Sequence, residues 1–202
     1  MNILVNPEIY PLFQIIISFL LCSGLINIGR FLNQKIFNNY NYYFFDLSLA
    51  TIFISQIIFI SFVLNFFLET IFLISCLLIV FGAINIKFFI YLKNQIYIFF
   101  KKKNDYFIIL IALICILFVI ISLGPPSMAD ALDYHFGFPL YLINFTYFPN
   151  QDIWLHGSLF GNGEFFNTIG LFLKTDNFFT FFQVFSLILF FDFLSKIEIN
   201  KS

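Results

Sequence analysis

Long apolar runs separated by short polar or charged links dominate the chain. A helix needs about twenty predominantly apolar residues to cross about 30 Å of hydrocarbon. Five runs approach or reach that length: Pro11 to Gly29, Leu47 to Phe67, Ile71 to Phe89, Tyr106 to Leu123 and Phe178 to Leu194. The pattern predicts an all-α, polytopic membrane protein with about five transmembrane helices. Runs two and three are expected to form a tight hairpin around Glu69 and Thr70. The organisation predicted is a four-helix membrane region (1–123), a segment of short interfacial helices (124–177), and a fifth span with a short tail (178–202).

The links fix an orientation, because cytoplasmic loops carry an excess of Lys and Arg. Arg30 and Lys35 follow the first run, and the hairpin tip carries neither residue type. Lys87, Lys93, Lys101, Lys102 and Lys103 follow the third. The long segment after the fourth holds Lys174 against Asp130, Asp133, Asp152, Glu164 and Asp176. Lys196 and Lys201 end the chain. Basic and non-basic links alternate, which predicts the N-terminus outside, the C-terminus in the cytoplasm, and 124–177 outside. Tyr91 to Lys103 mixes Lys with aromatic residues and suits the inner interface, among lipid headgroups. Gln56, Asn65 and Asn85 lie within the second and third runs, and amides in lipid face neighbouring helices and bond across to them.

Composition agrees with a membrane protein: 61% of the 202 residues are hydrophobic, 35 are Phe, and 10% are charged. A net charge of −1 excludes the basic excess that binds nucleic acid. Cys22, Cys76 and Cys115 sit in apolar runs and behave as small hydrophobes, not as a disulfide framework or metal site.

The outer segment gathers the candidate chemistry. Pro125 and Pro126 end the fourth helix, and Ser127 with Asp130 three residues on forms a capping pattern. On the helix predicted from Met128 to Phe136, Asp130, Asp133 and Tyr134 share one face. Leu140 to Phe148, with Tyr141 and Tyr147, reads as a short interfacial helix. Pro149 to Gly163 reads as loop, with Trp154 and His156, and Glu164 to Leu173 as another short apolar helix. These helices are expected to lie on or dip into the outer leaflet and form a floor beneath a polar substrate. Acids at the edge of hydrocarbon point to function by default. Plainer readings stand beside that one: Asp130 as a helix N-terminal acid worth about 0.3–1 kcal/mol, Asp133 as a solvated side chain, His135 as a hydrogen-bonded structural residue. No cofactor and no metal site is expected; a divalent metal held by Asp130, Asp152 and Glu164 is the minor option. Asn144-Phe145-Thr146 has the N-glycosylation form.

Asp130-Ala131-Leu132-Asp133-Tyr134-His135, after a transmembrane helix and before Pro139, resembles the first outer loop of GT-C-fold membrane glycosyltransferases. The branch is the one related to protein mannosyltransferases and lipid A aminoarabinose transferases. That group carries a catalytic Asp in an Asp-x-x-x-Tyr pattern, often followed by His. Gly161 to Asp176 is similar to the group's later loop, acid and short apolar helix. The resemblance spans about Gly124 to Leu194. Ala131 stands where many relatives have a second acid. The group also has about eight or more spans, with its catalytic Asp after the first helix, whereas three predicted spans precede the corresponding one here. The chain would then be the front part of a longer enzyme, a truncated reading frame or half of a split protein.

The resemblance implies transfer of a sugar from a polyprenyl-phosphate donor to a glycan, lipid or protein acceptor on the outer face. It implies Asp130 as the catalytic general base, with Tyr134 and His135 positioning acceptor or phosphate. Asp133 and Glu164 complete the candidate substrate-binding set. The alternative is a non-catalytic membrane scaffold or a subunit of a transporter or flippase.

Overall fold

A computed structural model describes residues 11–37, 42–101, 113–114, 116–118, 120, 135–150 and 161–199. The regular structure among these residues is helical, with no strand. Seven helices are described: α1 (Pro11–Ile36), α2 (Tyr43–Val63), α3 (Phe67–Ala83), α4 (Ile86–Lys101), α5 (Phe138–Phe145), α6 (Asn162–Phe172) and α7 (Phe178–Ile199). Three of them, α1, α2 and α7, are long and apolar enough to cross a membrane; α3 and α4 make a fourth if taken together as one span bent by 55°. Of the fourth predicted run, Tyr106 to Leu123, the described positions at 113–114, 116–118 and 120 are helical and exposed.

Three features differ from the sequence reading. The α2–α3 turn lies at Leu64 to Phe66, not at Glu69 and Thr70. Asn65 takes a left-handed conformation there, with φ 62°, which asparagine tolerates better than most residues. Glu69 instead sits in the first turn of α3, where a carboxylate favours the helix dipole.

The third run does not continue to Phe89. It breaks at Ile84 and Asn85, because the Asn85 side chain accepts the Phe88 amide and so starts a new helix. The same side chain donates to the Ser23 carbonyl at 2.9 Å, pinning the break to α1. Asn85 thus bonds across helices as expected. Gln56 does not: it is exposed on α2.

The third difference is depth. The segment Glu164 to Leu171 of α6 is buried throughout, inserted among α2, α3, α5 and α7 and not resting on a surface.

The bundle is organised around α1, whose main packing is against α3 and α2. Backbones meet at glycines: a Cβ on Gly24 would overlap the Leu78 carbonyl oxygen, one on Gly82 that of Leu20, and one on Gly29 that of Asp46. Close approach brings polar side chains within reach of carbonyls on the facing helix. Ser23 donates to Gly82 O at 3.1 Å and Asn27 to Phe81 O at 3.1 Å. One apolar core, including Leu21, Ile58, Ile71, Phe88, Phe165 and Phe178, joins every described helix. Phenylalanine supplies much of the contact between elements: Phe19 meets Phe88 and Phe185, and Phe165 meets Phe59, Phe62 and Phe148. Rings this large fill the spaces between widely separated helices and contribute beyond their area when set edge to face.

The two ends of the bundle differ in chemistry. At one end Asp46 is buried, accepts from Asn33 Nδ2 at 2.7 Å, and lies 3.7 Å from Arg30 Nε. Arg30 also sits over the Tyr43 ring, and Lys196 pairs with Asp192 at 2.6 Å over Tyr91. The other end carries the α2–α3 turn, α5 and the start of α6, joined through Phe62, Phe148 and Phe165.

Candidate functional site

The described part of 124–177 brings together two of the residues singled out in the sequence, His135 and Glu164. His135 lies in a wide turn that leads into α5, where Pro139 occupies a first-turn position that needs no amide donor. Glu164 lies in the first turn of α6. Its carboxylate turns back towards the helix start, and Oε2 accepts the Gly161 amide at 2.7 Å. That bond satisfies one of the amides that a helix N-terminus leaves unpaired. The other oxygen, Oε1, lies 3.0 Å from His135 Nδ1.

A carboxylate accepts, so Nδ1–H of the imidazole donates. The pair therefore sets which ring nitrogen carries the proton. Its members are unequally placed: the His135 side chain is 38% exposed, whereas Glu164 is buried. Phe179, at the start of α7, stacks on the His135 ring with centroids 5.8 Å apart. The ring is held at one edge by a charge and on one face by an aromatic.

Asn167, one turn beyond Glu164 on α6, donates from Nδ2 to the His135 carbonyl at 2.7 Å. Residues at i and i+3 stand on the same helix face, so α6 grips residue 135 by both side chain and backbone. Asn167 Oδ1 is buried and unpartnered among the described residues. Sequence reasoning missed Asn167. The signal was present as two polar residues three apart in an otherwise apolar run.

Asp130, Asp133, Tyr134 and Asp152 lie outside the described residues. Both oxygens of Glu164 are engaged by Gly161 and His135. Among the described residues no group of three His, Cys, Asp or Glu side chains is arranged to hold a metal. Asp176, between α6 and α7, has its carboxyl raised above the ordinary value by burial. Tyr141 and Tyr147 meet edge to face 5.6 Å apart, and a hydrogen bond between them pushes Tyr141 up to about 12.

Residues 9–201 match the DUF1420 N-terminal domain. The chain belongs to the DUF1420 family. No curated protein and no solved structure matches it. In this DUF1420 chain the matched residues include all seven described helices and both His135 and Glu164.

Proposed function

We propose that the chain is the N-terminal part of a membrane glycosyltransferase that transfers a sugar from a polyprenyl-phosphate donor on the outer face of the membrane. The observation that carries this reading is the His135–Glu164 bond at 3.0 Å. It links the residue that directly follows Asp130-x-x-x-Tyr134 to Glu164, which lies in the second stretch that the resemblance covers. The alternation of basic links supports an outer location, since the pair lies at the end of the bundle away from Arg30 and Lys196. The family's description as an N-terminal domain fits an active site completed by a further part.

In this reading the Asp130 carboxylate takes the proton of the acceptor hydroxyl. The acceptor oxygen bonds to the anomeric carbon as the bond from that carbon to the phosphate oxygen breaks, and polyprenyl phosphate leaves with the electron pair. A single base of this kind gives inversion at the anomeric carbon. Glu164 fixes the His135 ring with its proton on Nδ1, which leaves Nε2 to accept from a hydroxyl of the acceptor. Such fixed groups accelerate reaction by orientation.

The test uses the full protein in membrane vesicles with radiolabelled polyprenyl-phosphate mannose and glucose, reading release of polyprenyl phosphate. Asp130→Asn is expected to abolish release and Glu164→Gln to lower it at least about tenfold, the usual scale for lost proton-transfer or positioning groups, with insertion unchanged. Full activity in Asp130→Asn would sink the reading.

A second reading, a transporter or flippase subunit, is favoured by one observation. The α3–α4 break at Ile84 and Asn85 is the kind of interrupted helix on which transporters build sites. Movement of a fluorescent lipid between leaflets of reconstituted vesicles, insensitive to Asp130→Asn, would support it.

A further inference from the structure

The α3–α4 break opens a cleft of about 400 Å³ against the C-terminal half of α1. Two cations line it, Arg30 from α1 and Lys87 from the first turn of α4, together with the amides of Asn27 and Gln34. No carboxylate lines it among the described residues. The rim is apolar and exposed: Phe31 is 60% and Ile86 67% accessible.

Each element has a physical reason to be there. Asp46 and Tyr43 fix the Arg30 guanidinium from behind, one by charge and one by its ring face. Asn27 is committed through Nδ2 to the Phe81 carbonyl, which sets its side chain at the mouth of the cleft. The break itself places the amide end of α4 beside Lys87, and helix N-termini attract anions. A soluble anion site would have no use for exposed Phe31 and Ile86, whereas acyl chains would cover them.

We propose that this cleft binds the phosphodiester headgroup of an anionic membrane lipid, with Arg30 and Lys87 as its cations and Phe31 and Ile86 against the acyl chains. The positive-inside pattern puts the cleft at the inner leaflet, where anionic lipids attract Lys and Arg at about 1 kcal/mol each, or about fivefold in affinity. Guanidinium and ammonium together suit a phosphodiester, one through its fork and one as a point charge. The site is separate from the His135–Glu164 pair and does not depend on its function.

The experiment is native mass spectrometry of the purified full chain in neutral detergent, titrated with phosphatidylglycerol or phosphatidylcholine, with thermal unfolding alongside. The expected result is one retained phosphatidylglycerol per chain, preferred over phosphatidylcholine and raising the melting temperature. Lys87→Glu is expected to lower that preference about twenty-five-fold, given loss of one attraction and gain of one repulsion, while Lys87→Arg keeps it. Lys35→Glu, at an exposed lysine outside the cleft, is expected to leave it unchanged. Equal binding of the two lipids, or an equal loss in Lys35→Glu, would overturn the proposal. A melting shift from millimolar inorganic phosphate as large as that from phosphatidylglycerol would overturn the lipid as the source of the anion.

Discussion

Asn167 Nδ2 holds the backbone carbonyl of His135 at 2.7 Å, across 32 residues of chain. Together with the Glu164 bond to the imidazole, it makes α6 the element that sets both the position and the orientation of residue 135. Replacing Asn167 by Ala leaves that carbonyl without its donor in a part-buried setting, at a cost of about 1 kcal/mol. The expected outcome is a lower melting temperature in detergent, with the histidine NMR signal still reporting a protonated Nδ1. In Glu164→Gln the signal is expected to change, because one amide group cannot accept from both His135 and Gly161.

Arg30 and Asp46 give a second prediction. Asp46 is buried with Asn33 on one oxygen and Arg30 near the other. Removing one partner of a buried ion pair costs about 3–5 kcal/mol, whereas replacing both costs far less. Arg30→Met is therefore expected to destabilise strongly, and Arg30→Met with Asp46→Leu to recover much of the loss. A double-mutant cycle read by thermal unfolding checks it, and additivity of the two single changes would refute the pairing.

The glycine contacts between α1 and α3 leave no room for a side chain. The obstacles are backbone carbonyls of Leu78 and Leu20, which cannot rotate away as a side-chain tip would. Gly24→Val and Gly82→Val are expected to separate the helices and break the Ser23 and Asn27 bonds with them. Limited proteolysis of membranes should then cut both variants far faster than the parent. Gly163→Ala, where a Cβ meets open space, should match the parent.

Asp176 gives a prediction in pH. Burial raises its folded value above the ordinary 3.8. The folded chain then holds the proton more tightly than the unfolded chain, so the stabilisation is complete below about pH 3.8 and is lost as pH rises through the folded value. Asp176→Asn removes the charged form, and its melting temperature at pH 7 should exceed that of the parent by a few degrees. The difference should vanish near pH 3.5.

The long helices were legible because an apolar run of span length has few other fates in this composition. Their ends were less so. α1 runs on to Ile36 through Arg30, Asn33 and Lys35 because Arg30 and Asn33 find Asp46 across the hairpin, a partnership that no local pattern announces. The break at Asn85 was hidden inside continuous hydrophobicity, since a single amide that caps one helix and bonds another leaves the run intact. His135 and Glu164 both stood out in the stretch that the resemblance covers, but their contact depends on how α5 packs against α6. Asn167 went unnoticed because the spacing that puts it on the Glu164 face of α6 does not say which backbone group that face meets. Of the remaining candidates, Asp130, Asp133, Tyr134 and Asp152 lie outside the described residues.

The burial of α6 bears on how the chain enters the membrane. Its 11 residues extend about 16 Å, half of what a translocation channel recognises as a span. Glu164, Asn167 and Thr168 would be costly in lipid without partners. Glu164 and Asn167 find their partner at His135, so α6 is expected to settle only once it has packed against α2, α3, α5 and α7. Placement of this segment, which carries Glu164 and Asn167, is thus expected to depend on the longer helices being packed first.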